Sequence, residues 1–338
     1  MATRIGINGF GRIGRQVFKA IYDNHDGDLE VVAFNDLMDN ETAAHLLRYD
    51  STYGIWDADI DADEEALYVG QSAVKVFSER DPSKLPWGDL GVDLVIESTG
   101  FFEDGEKAKA HIDAGATKVM ITAPGKNVDA TFVMGVNDDQ YDPSSHHIVS
   151  NASCTTNCLA PVAKVLHQHF GITNAIMTTI HSYTGDQNLL DAQHKDLRRA
   201  RSAALNVVPT TTGAARAVAL VLPELEGKFD GFALRIPTPT VSLVDLSVNF
   251  DSDVSVESIN SAFQSEAEGA LEGILDYTDE PLVSIDFKAD PHSAIVDGLS
   301  TLVVGSRFGK VIAWYDNEWG YSCRVADMAL MMGNAGFE

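Results

Sequence analysis

The sequence contains few cysteines, few basic residues and no long uncharged apolar segment. Three cysteines among 338 residues, Cys154, Cys158 and Cys323, are too few for a disulfide framework and favour a reducing compartment. Cys154 and Cys158 have no second Cys/His pair at zinc-like spacing, which argues against a metal site. The N-terminus runs almost directly into an apolar strand, and no segment has the length of a transmembrane helix. We therefore expect a cytoplasmic globular protein without membrane partners.

Basic residues are outnumbered by acidic ones, 24 against 50, and the formal net charge is −26. The acids are spread over several clusters, and no basic stripe is present, which argues against nucleic-acid binding and anionic membranes. Such an excess strains the folded state by self-repulsion when salt is low. The charge therefore leads to the hypothesis of a halophilic protein in a salt-rich cytoplasm. The alternative is an ordinary acidic, highly soluble protein.

A glycine-rich turn follows the first strand, which we predict over residues 3–8. Gly9-Phe10-Gly11-Arg12-Ile13-Gly14 has the G-x-G-x-x-G pattern, and a helical pattern follows it from residue 15 to 22. In this context the pattern is typical of dinucleotide binding, because its glycines allow backbone N–H groups to approach a pyrophosphate. The next apolar strand ends in Asp36, about where the fingerprint places an acid for the adenosine ribose. A plain turn-capping aspartate is the alternative.

Strands and helices alternate up to about residue 150. The nearly apolar run 92–100 ends in Thr99 and Gly100, and ligands of open α/β sheets lie at such carboxyl ends. Further strands are predicted over residues 73–78, 118–122 and 132–136. The alternation predicts a Rossmann-type α/β dinucleotide-binding domain over residues 1–152.

Cys154 is predicted to lie in the first turn of a helix. The apolar periodicity after Ser153-Cys154-Thr155-Thr156-Asn157-Cys158 indicates that helix, with Ser153 or Asn151 as its N-cap. Unpaired N–H groups and the helix dipole at this position favour a thiolate, so we expect a lowered pKa for Cys154. The cysteine alone leaves open a buried structural thiol.

A histidine and clustered arginines follow in the second half. The strand predicted over residues 172–180 is followed by His181. Alone, a histidine at a strand end fits a structural or surface residue; beside an activated cysteine it becomes a natural general base. Arg198, Arg199 and Arg201 in an acidic protein are consistent with phosphate recognition, the alternative being salt bridges to a neighbouring subunit.

The remaining elements predict a second domain with a mainly antiparallel sheet. Residues 241–250 alternate between apolar and polar, as expected for a half-exposed strand. A helix is predicted to begin at Thr210-Thr211-Thr212-Gly213 and to run to Leu222, and hydroxyls with free N–H groups at such a helix start offer another anion site. Asn317, before a C-terminal helix, is a possible cofactor contact or a plain N-cap. We predict an α+β catalytic domain over residues 153–317, and a helix over 318–338 that returns to the first domain.

Several motifs together resemble phosphorylating glyceraldehyde-3-phosphate dehydrogenase over nearly the whole chain. They are residues 6–15, the hexapeptide 153–158, His181-Ser182-Tyr183-Thr184, residues 209–215, Arg235-Ile236-Pro237-Thr238-Pro239, and Trp314-Tyr315-Asp316-Asn317-Glu318-Trp319-Gly320-Tyr321. The resemblance implies oxidation of glyceraldehyde 3-phosphate to 1,3-bisphosphoglycerate with NAD and inorganic phosphate. This reversible reaction belongs to glycolysis and gluconeogenesis. Cys154 would be the nucleophile and His181 its base.

The resemblance also implies ligand contacts and an assembly. Thr184 and Arg235 would hold the substrate phosphate. The attacking phosphate would be held by Ser153, Thr155, Arg199, Thr212 and Gly213, and NAD by Gly9, Gly11, Arg12, Ile13, Asp36, Arg80, Thr99, Gly100, Thr122 and Asn317. Residues 183–208 would form a loop near a subunit interface of a homotetramer.

Ala192-Gln193 departs from the Leu-Pro of many NAD-specific bacterial members and resembles members that accept NADP. Asp36 still favours NAD, so dual cofactor use stays open. Three other functions compete. They are an erythrose-4-phosphate dehydrogenase, a non-catalytic NAD-binding scaffold, and an aldehyde dehydrogenase acting on acyl phosphates such as aspartyl phosphate.

Overall fold

The computed structural model describes residues 2–337, which form two compact units. Among the described residues, the first unit contains 2–132, 139–152 and 322–337. The second unit contains 133–138 and 153–321. The longer of the two stretches in the second unit therefore begins at Ser153, the residue before Cys154.

The first unit is built on a nine-stranded sheet with the order β10-β11-β9-β8-β1-β2-β7-β6-β5. All neighbouring strands from β10 to β7 are parallel, and the β7-β6 and β6-β5 pairs are antiparallel. The strands are β1 Thr3–Asn8, β2 Leu29–Asn35, β3 Tyr49–Asp50, β4 Gly54–Ile55, β5 Ile60–Ala62, β6 Ala66–Val69, β7 Ser72–Phe77, β8 Leu94–Glu97, β9 Lys118–Ile121, β10 Ala130–Thr131 and β11 Ile148–Ser150, with β3 and β4 paired separately.

Three helices connect these strands. They are α1 Arg12–Asn24, α2 Asn40–Arg48 and α3 Gly105–Asp113, with a 3₁₀ turn at Pro82–Lys84 and another at Asp138–Gln140. Asp39 and Asp104 cap α2 and α3 by accepting backbone N–H groups of the first turn. The N-cap of α1 is Gly11, whose missing side chain leaves that helix start uncapped. A helix start of this kind keeps its N–H groups available for a ligand.

The second unit is built on an eight-stranded sheet with the order β13-β14-β12-β15-β19-β17-β16, and β18 also pairs with β19. Its strands are β12 Ile172–Ser182, β13 Val208–Thr211, β14 Phe229–Ile236, β15 Ser242–Phe250, β16 Leu275–Thr278, β17 Ala294–Asp297, β18 Leu302–Val304 and β19 Phe308–Tyr315. Its helices are α4 Cys154–Phe170, α5 Ala214–Val221 and α6 Val256–Ala267, with 3₁₀ turns at Pro223–Leu225, Ser284–Phe287 and Gly298–Ser300. The last helix, α7 Trp319–Ala335, begins in this unit, and residues 322–335 of it belong to the first.

Most strand pairs of the second sheet are antiparallel, as the alternating sequence predicts; β12-β14 and β16-β17 are the parallel ones. On β15 the apolar residues of the predicted alternation are buried and the polar Asn249 is exposed; the buried ones are Val244, Leu246, Val248 and Phe250. This confirms the predicted fold class. The alternating burial on β15 arises because successive side chains of a strand point to opposite faces of the sheet, so that only one face packs in the core.

Two local predictions were wrong. Residues 132–136 are not a strand, because Gly135 has φ +77° and Val136 N–H turns back to the Val133 carbonyl. The strands nearby are β10 and β11, which are too short to show a periodic pattern. The helix expected from residue 210 begins only at Ala214, since Thr210 and Thr211 belong to β13 and Gly213 is the N-cap.

Candidate active site

Cys154 is the first residue of α4, as the apolar periodicity predicts. Ser153 is the N-cap, and its hydroxyl oxygen accepts the Thr156 N–H at 3.0 Å. Asn151, the other N-cap candidate, lies outside the helix and is fully buried. The thiol therefore stands at the positive end of a 17-residue helix.

His181 lies within reach of that thiol, with its Nε2 atom 3.4 Å from the Cys154 Sγ. The other ring nitrogen, Nδ1, lies 2.7 Å from the carbonyl oxygen of Ser182. A carbonyl can only accept, so Nδ1 carries the hydrogen and Nε2 presents its lone pair to the thiol. This is the tautomer that a general base for Cys154 requires.

Burial changes the protonation of both groups. It raises the pKa of the Cys154 thiol, although the positive charge of Arg235 opposes this shift. It lowers the pKa of His181 to about 3, with Arg235 acting in the same direction. The lowered cysteine pKa expected from the helix start alone is therefore wrong, because desolvation of the half-buried thiol outweighs the effects that lower the pKa. A thiolate here depends on its partners: transfer of the proton to His181 creates two opposite charges that stabilise each other.

Arg235 and Thr184 form a compact donor group beside this pair. Arg235 lies opposite His181 in the parallel register of β12 and β14. Its Nη1 donates to the Thr184 hydroxyl at 3.0 Å and to the Ser182 carbonyl at 3.3 Å, and its buried Nε has no partner in the described structure. Unused guanidinium donors of this kind suit a phosphate or carboxylate.

Arg199 belongs to a second cationic group. It pairs with Asp186, and its Nε donates to the Thr210 hydroxyl at 2.9 Å. Its charge contributes to the lowered pKa of Arg235, as expected for neighbouring guanidinium groups, although burial is the main cause. Thr212 and Gly213 precede α5, and Gly213 is its N-cap without a side-chain cap. Of the predicted phosphate contacts, Thr155 has its hydroxyl oxygen 2.8 Å from that of Tyr315. Hydrogen bonds from the Thr155 side chain and backbone also act on Cys154, where they oppose the rise of the thiol pKa.

Two clefts border the glycine-rich turn in the first unit. The larger, of about 500 Å³, is lined by Gly9, Gly11, Asp36, Arg80 and Thr99 among others. The smaller, of about 230 Å³, is lined by Ile13, Thr99, Gly100 and Thr122 among others. Eight of the ten predicted NAD contacts thus line these two clefts.

Each glycine of the turn is explained by a different steric environment. Gly9 has φ +94°, and a Cβ there would lie 2.7 Å from the backbone of Ser98 and Thr99. A Cβ at Gly14 would lie 2.1 Å from the Gly9 carbonyl oxygen, so that position needs glycine for close packing of α1. A Cβ at Gly11 would meet nothing within 4 Å, which leaves open space above the helix start. This is the arrangement that a pyrophosphate requires.

Family comparisons match both halves of the chain. Residues 3–105 match "Glyceraldehyde 3-phosphate dehydrogenase, NAD binding domain", and residues 153–317 match "Glyceraldehyde 3-phosphate dehydrogenase, C-terminal domain". The chain belongs to the glyceraldehyde 3-phosphate dehydrogenase family. This confirms the predicted family, the Rossmann-type domain and NAD as the cofactor.

Curated relatives match over the full length. The glyceraldehyde-3-phosphate dehydrogenase of Geobacillus stearothermophilus is 57% identical over 336 residues, which are 99% of this chain and 100% of the relative. Glyceraldehyde-3-phosphate dehydrogenase 1 of Streptomyces avermitilis is 57% identical over 99% of each chain. The glyceraldehyde-3-phosphate dehydrogenase of Mycobacterium tuberculosis is 55% identical over 99% of this chain and 100% of the relative.

Two of the ten predicted NAD contacts, Arg12 and Asn317, do not line either of the two clefts. Arg12 is paired with the buried Asp50 at 2.9 Å. Asn317 is buried in the second unit, where its Oδ1 accepts the Ser242 hydroxyl at 2.9 Å. It is not the N-cap of α7: Asp316 accepts the N–H groups of Glu318 and Trp319 instead.

Sequence reasoning assigned no role to Tyr315, which it named only as part of the motif at residues 314–321. Its hydroxyl lies 2.8 Å from the Thr155 hydroxyl and 2.9 Å from that of Thr179, and its ring packs edge-on to His181. Burial raises its pKa well above the ordinary value, so it stays a neutral phenol. Only its inward position on β19 could have indicated this role, and that position also fits an ordinary core residue.

Among residues 2–337, no helix is long and apolar enough to cross a membrane, and no cluster of three or more His, Cys, Asp or Glu side chains could hold a metal ion.

Proposed function

We propose that the chain catalyses the phosphorylating oxidation of D-glyceraldehyde 3-phosphate to 1,3-bisphosphoglycerate, as its relatives' name indicates. The main support is the 3.4 Å contact between Cys154 Sγ and His181 Nε2 at the start of α4. A nucleophile, an oriented base and two cationic groups stand in one unit, and a phosphorylated aldehyde plus free phosphate needs all of them.

The first step is attack of Cys154 on the aldehyde carbon. His181 Nε2 takes the thiol proton as the C–S bond forms, and returns it to the carbonyl oxygen to give a thiohemiacetal. The Ser182 carbonyl holds the imidazole in the required tautomer and stabilises its protonated form.

The second step converts the thiohemiacetal to a thioester. Bound NAD supplies the hydride acceptor for this oxidation. His181 takes the hydroxyl proton of the thiohemiacetal as the C–O double bond re-forms. The thioester keeps the free energy of oxidation, provided that water does not reach it.

The third step is attack of inorganic phosphate on the thioester carbon. The C–O bond to phosphate forms, the C–S bond breaks, and Cys154 leaves as a thiolate that is protonated again through His181. Thr184 and Arg235 would hold the substrate phosphate, since Arg235 has unused donors. Ser153, Thr155, Arg199, Thr212 and Gly213 would hold the attacking phosphate at two helix starts.

The first experiment measures NADH formation from glyceraldehyde 3-phosphate in high KCl, with and without phosphate. We expect phosphate-dependent NADH formation, its loss in Cys154→Ser, and its retention in the control Cys323→Ser. Erythrose 4-phosphate in the same assay tests the nearest alternative. Activity that survives in Cys154→Ser would contradict the proposal, and binding of NAD without any turnover would favour a scaffold.

Cofactor choice is part of the proposal. Asp36 Oδ2 accepts the Phe10 N–H at 2.7 Å, so its carboxylate lies at the glycine-rich turn and lines the larger cleft. A negative charge there favours ribose hydroxyls and repels a 2′-phosphate. We infer a preference for NAD. Use of NADP is the second possibility, because Ala192-Gln193 resembles the pair found in members that accept NADP. The ratio of NADPH to NADH formation measures it.

We infer a homotetramer from the segment 183–208. Leu189, Leu190, Leu197 and Leu205 are 72–82% exposed there, and apolar side chains at such density mark an interface. Light scattering after gel filtration should give the mass of four chains, and Leu190→Asp should lower it. A wild-type monomer in high KCl would contradict this inference.

The net charge of −26 supports a halophilic protein that works in a cytoplasm rich in salt. Screening by salt weakens repulsion between exposed carboxylates. The midpoint of thermal unfolding should therefore rise between 0.1 and about 2 M KCl. An unchanged midpoint would contradict the hypothesis.

A further inference from the structure

Glu97 is a buried carboxylate that the proposed mechanism does not use. It ends β8 and is only 2% exposed, and it lines the smaller cleft with Ile13, Thr99 and Thr122. A carboxylate in such a position is costly unless donors surround it.

Hydrogen bonds fix the orientation of the first donor, Asn8. The Glu79 N–H donates to the Asn35 Oδ1 at 2.7 Å, so the Asn35 Nδ2 must be the atom that donates to the Asn8 Oδ1 at 2.7 Å. The Asn8 Nδ2 therefore faces the Glu97 Oε2 as a donor. A backbone N–H thus determines the direction of the whole chain of amides.

The second donor is His111. Trp87 Nε1–H donates to the His111 Nδ1 at 3.0 Å, and an indole nitrogen can only donate. The imidazole is therefore neutral, with its hydrogen on Nε2, which lies 2.9 Å from the Glu97 Oε2. Because Nδ1 must accept, His111 brings no positive charge to Glu97.

Thr99 supplies the last two donors. Its N–H reaches the Glu97 Oε1 at 2.8 Å, and its hydroxyl donates to the same oxygen while accepting the Phe101 N–H. Four donors thus converge on two oxygens, which identifies an ionised carboxylate. Among residues 2–337, no lysine or arginine forms a salt bridge with it.

We propose that Glu97 is an uncompensated buried anion that biases the cleft toward the oxidised, positively charged dinucleotide. The inference rests on the proposed NAD-dependent function. In this fold the two halves of the dinucleotide lie on either side of the glycine-rich turn, so with adenosine at Asp36 the nicotinamide half extends toward β8 and β9. The oxidised ring carries a positive charge and the reduced ring does not. Coulomb attraction in a partly desolvated cleft therefore favours the oxidised form.

The test compares dissociation constants for NAD and NADH by calorimetry, without substrate. Wild type should bind NAD more tightly, and Glu97→Gln should lower the ratio Kd(NADH)/Kd(NAD) by about three- to tenfold. The glutamine oxygen can keep the bonds from Asn8 and His111, while its NH₂ group deprives the Thr99 N–H of an acceptor. That structural loss should weaken both ligands alike, so the ratio isolates the charge.

His111→Gln is the matched control, because glutamine can still donate to Glu97 and accept from Trp87. Its ratio should stay within about twofold of wild type if the charge on Glu97 decides. An unchanged ratio in Glu97→Gln would overturn the inference while the proposed function stands. If that variant does not fold, wild type decides: NADH binding as tightly as NAD would also overturn it. Failure of wild type to bind either ligand would instead refute the proposed function.

Discussion

His181 on β12 and Arg235 on β14 lie directly opposite each other in a pair of parallel strands. The carboxyl ends of these strands therefore bring an imidazole and a guanidinium group to one place. The Ser182 carbonyl accepts from both side chains. A slip of one residue in this register would turn one of the two side chains to the opposite face of the sheet.

Replacement of His181 by Asn should separate the base from the thiol. Without a proton acceptor, Cys154 keeps a pKa raised by burial, which outweighs the opposing charge of Arg235. We expect kcat to fall about 10²- to 10⁴-fold. The rate of Cys154 alkylation by iodoacetamide should then keep increasing as the pH rises beyond the ordinary cysteine pKa. The reason is that the reactive thiolate forms only as the pH passes through the raised pKa.

Mass spectrometry of the Cys154 peptide across pH 5 to 10 measures this alkylation, with Cys154→Ser as the blank. The buried Cys158 and Cys323 should react far more slowly. An alkylation profile identical to that of wild type would show that His181 does not control the thiol.

Arg235→Lys should impair binding of the phosphorylated substrate. Lysine keeps a charge but lacks the planar fork that can bond Thr184 and a phosphate together. We expect the KM for glyceraldehyde 3-phosphate to rise about tenfold or more, with a smaller effect on the KM for NAD. Unphosphorylated glyceraldehyde should show little change, and an equal loss for both aldehydes would contradict the assignment.

Arg235→Gln tests the electrostatic effect of the same residue. Burial first, and then the charge of Arg235, hold the pKa of His181 at about 3. Removal of that charge should move the His181 pKa upward. The acidic limb of the pH–rate profile should then shift to higher pH than in wild type, and a limb that does not move would show that Arg235 has no influence on the base.

Tyr315→Phe should mainly affect stability. The change removes the hydroxyl that joins the buried Thr155 and Thr179, which then lack a shared partner. We expect unfolding free energy to fall by about 1–3 kcal/mol. Urea unfolding of Tyr315→Phe, Thr179→Val and the double variant measures this. Strictly additive effects would contradict a direct interaction.

How far the sequence could predict this site depends on the range of the interactions. The helix start at Cys154 and the turn at Gly9 follow from local patterns, and the structure has both where they were expected. The direction of the Cys154 pKa shift could not be predicted in this way, because desolvation of the half-buried thiol comes from packing that no local pattern encodes. The contact between Thr155 and Tyr315 joins residues 160 positions apart, so it also required the fold.

Asp36→Ser should relax cofactor choice. The aspartate places a negative charge on the wall of the larger cleft and accepts the N–H groups of Phe10 and Met38. Serine removes the repulsion toward a 2′-phosphate and retains an acceptor, so kcat/KM for NADP should rise by about tenfold or more while that for NAD falls. Steady-state assays with both cofactors measure this, and the surface variant Asp39→Ser serves as the control. If wild type already uses NADP as well as NAD, the substitution should change little, and Ala192-Gln193 rather than Asp36 would then govern the choice.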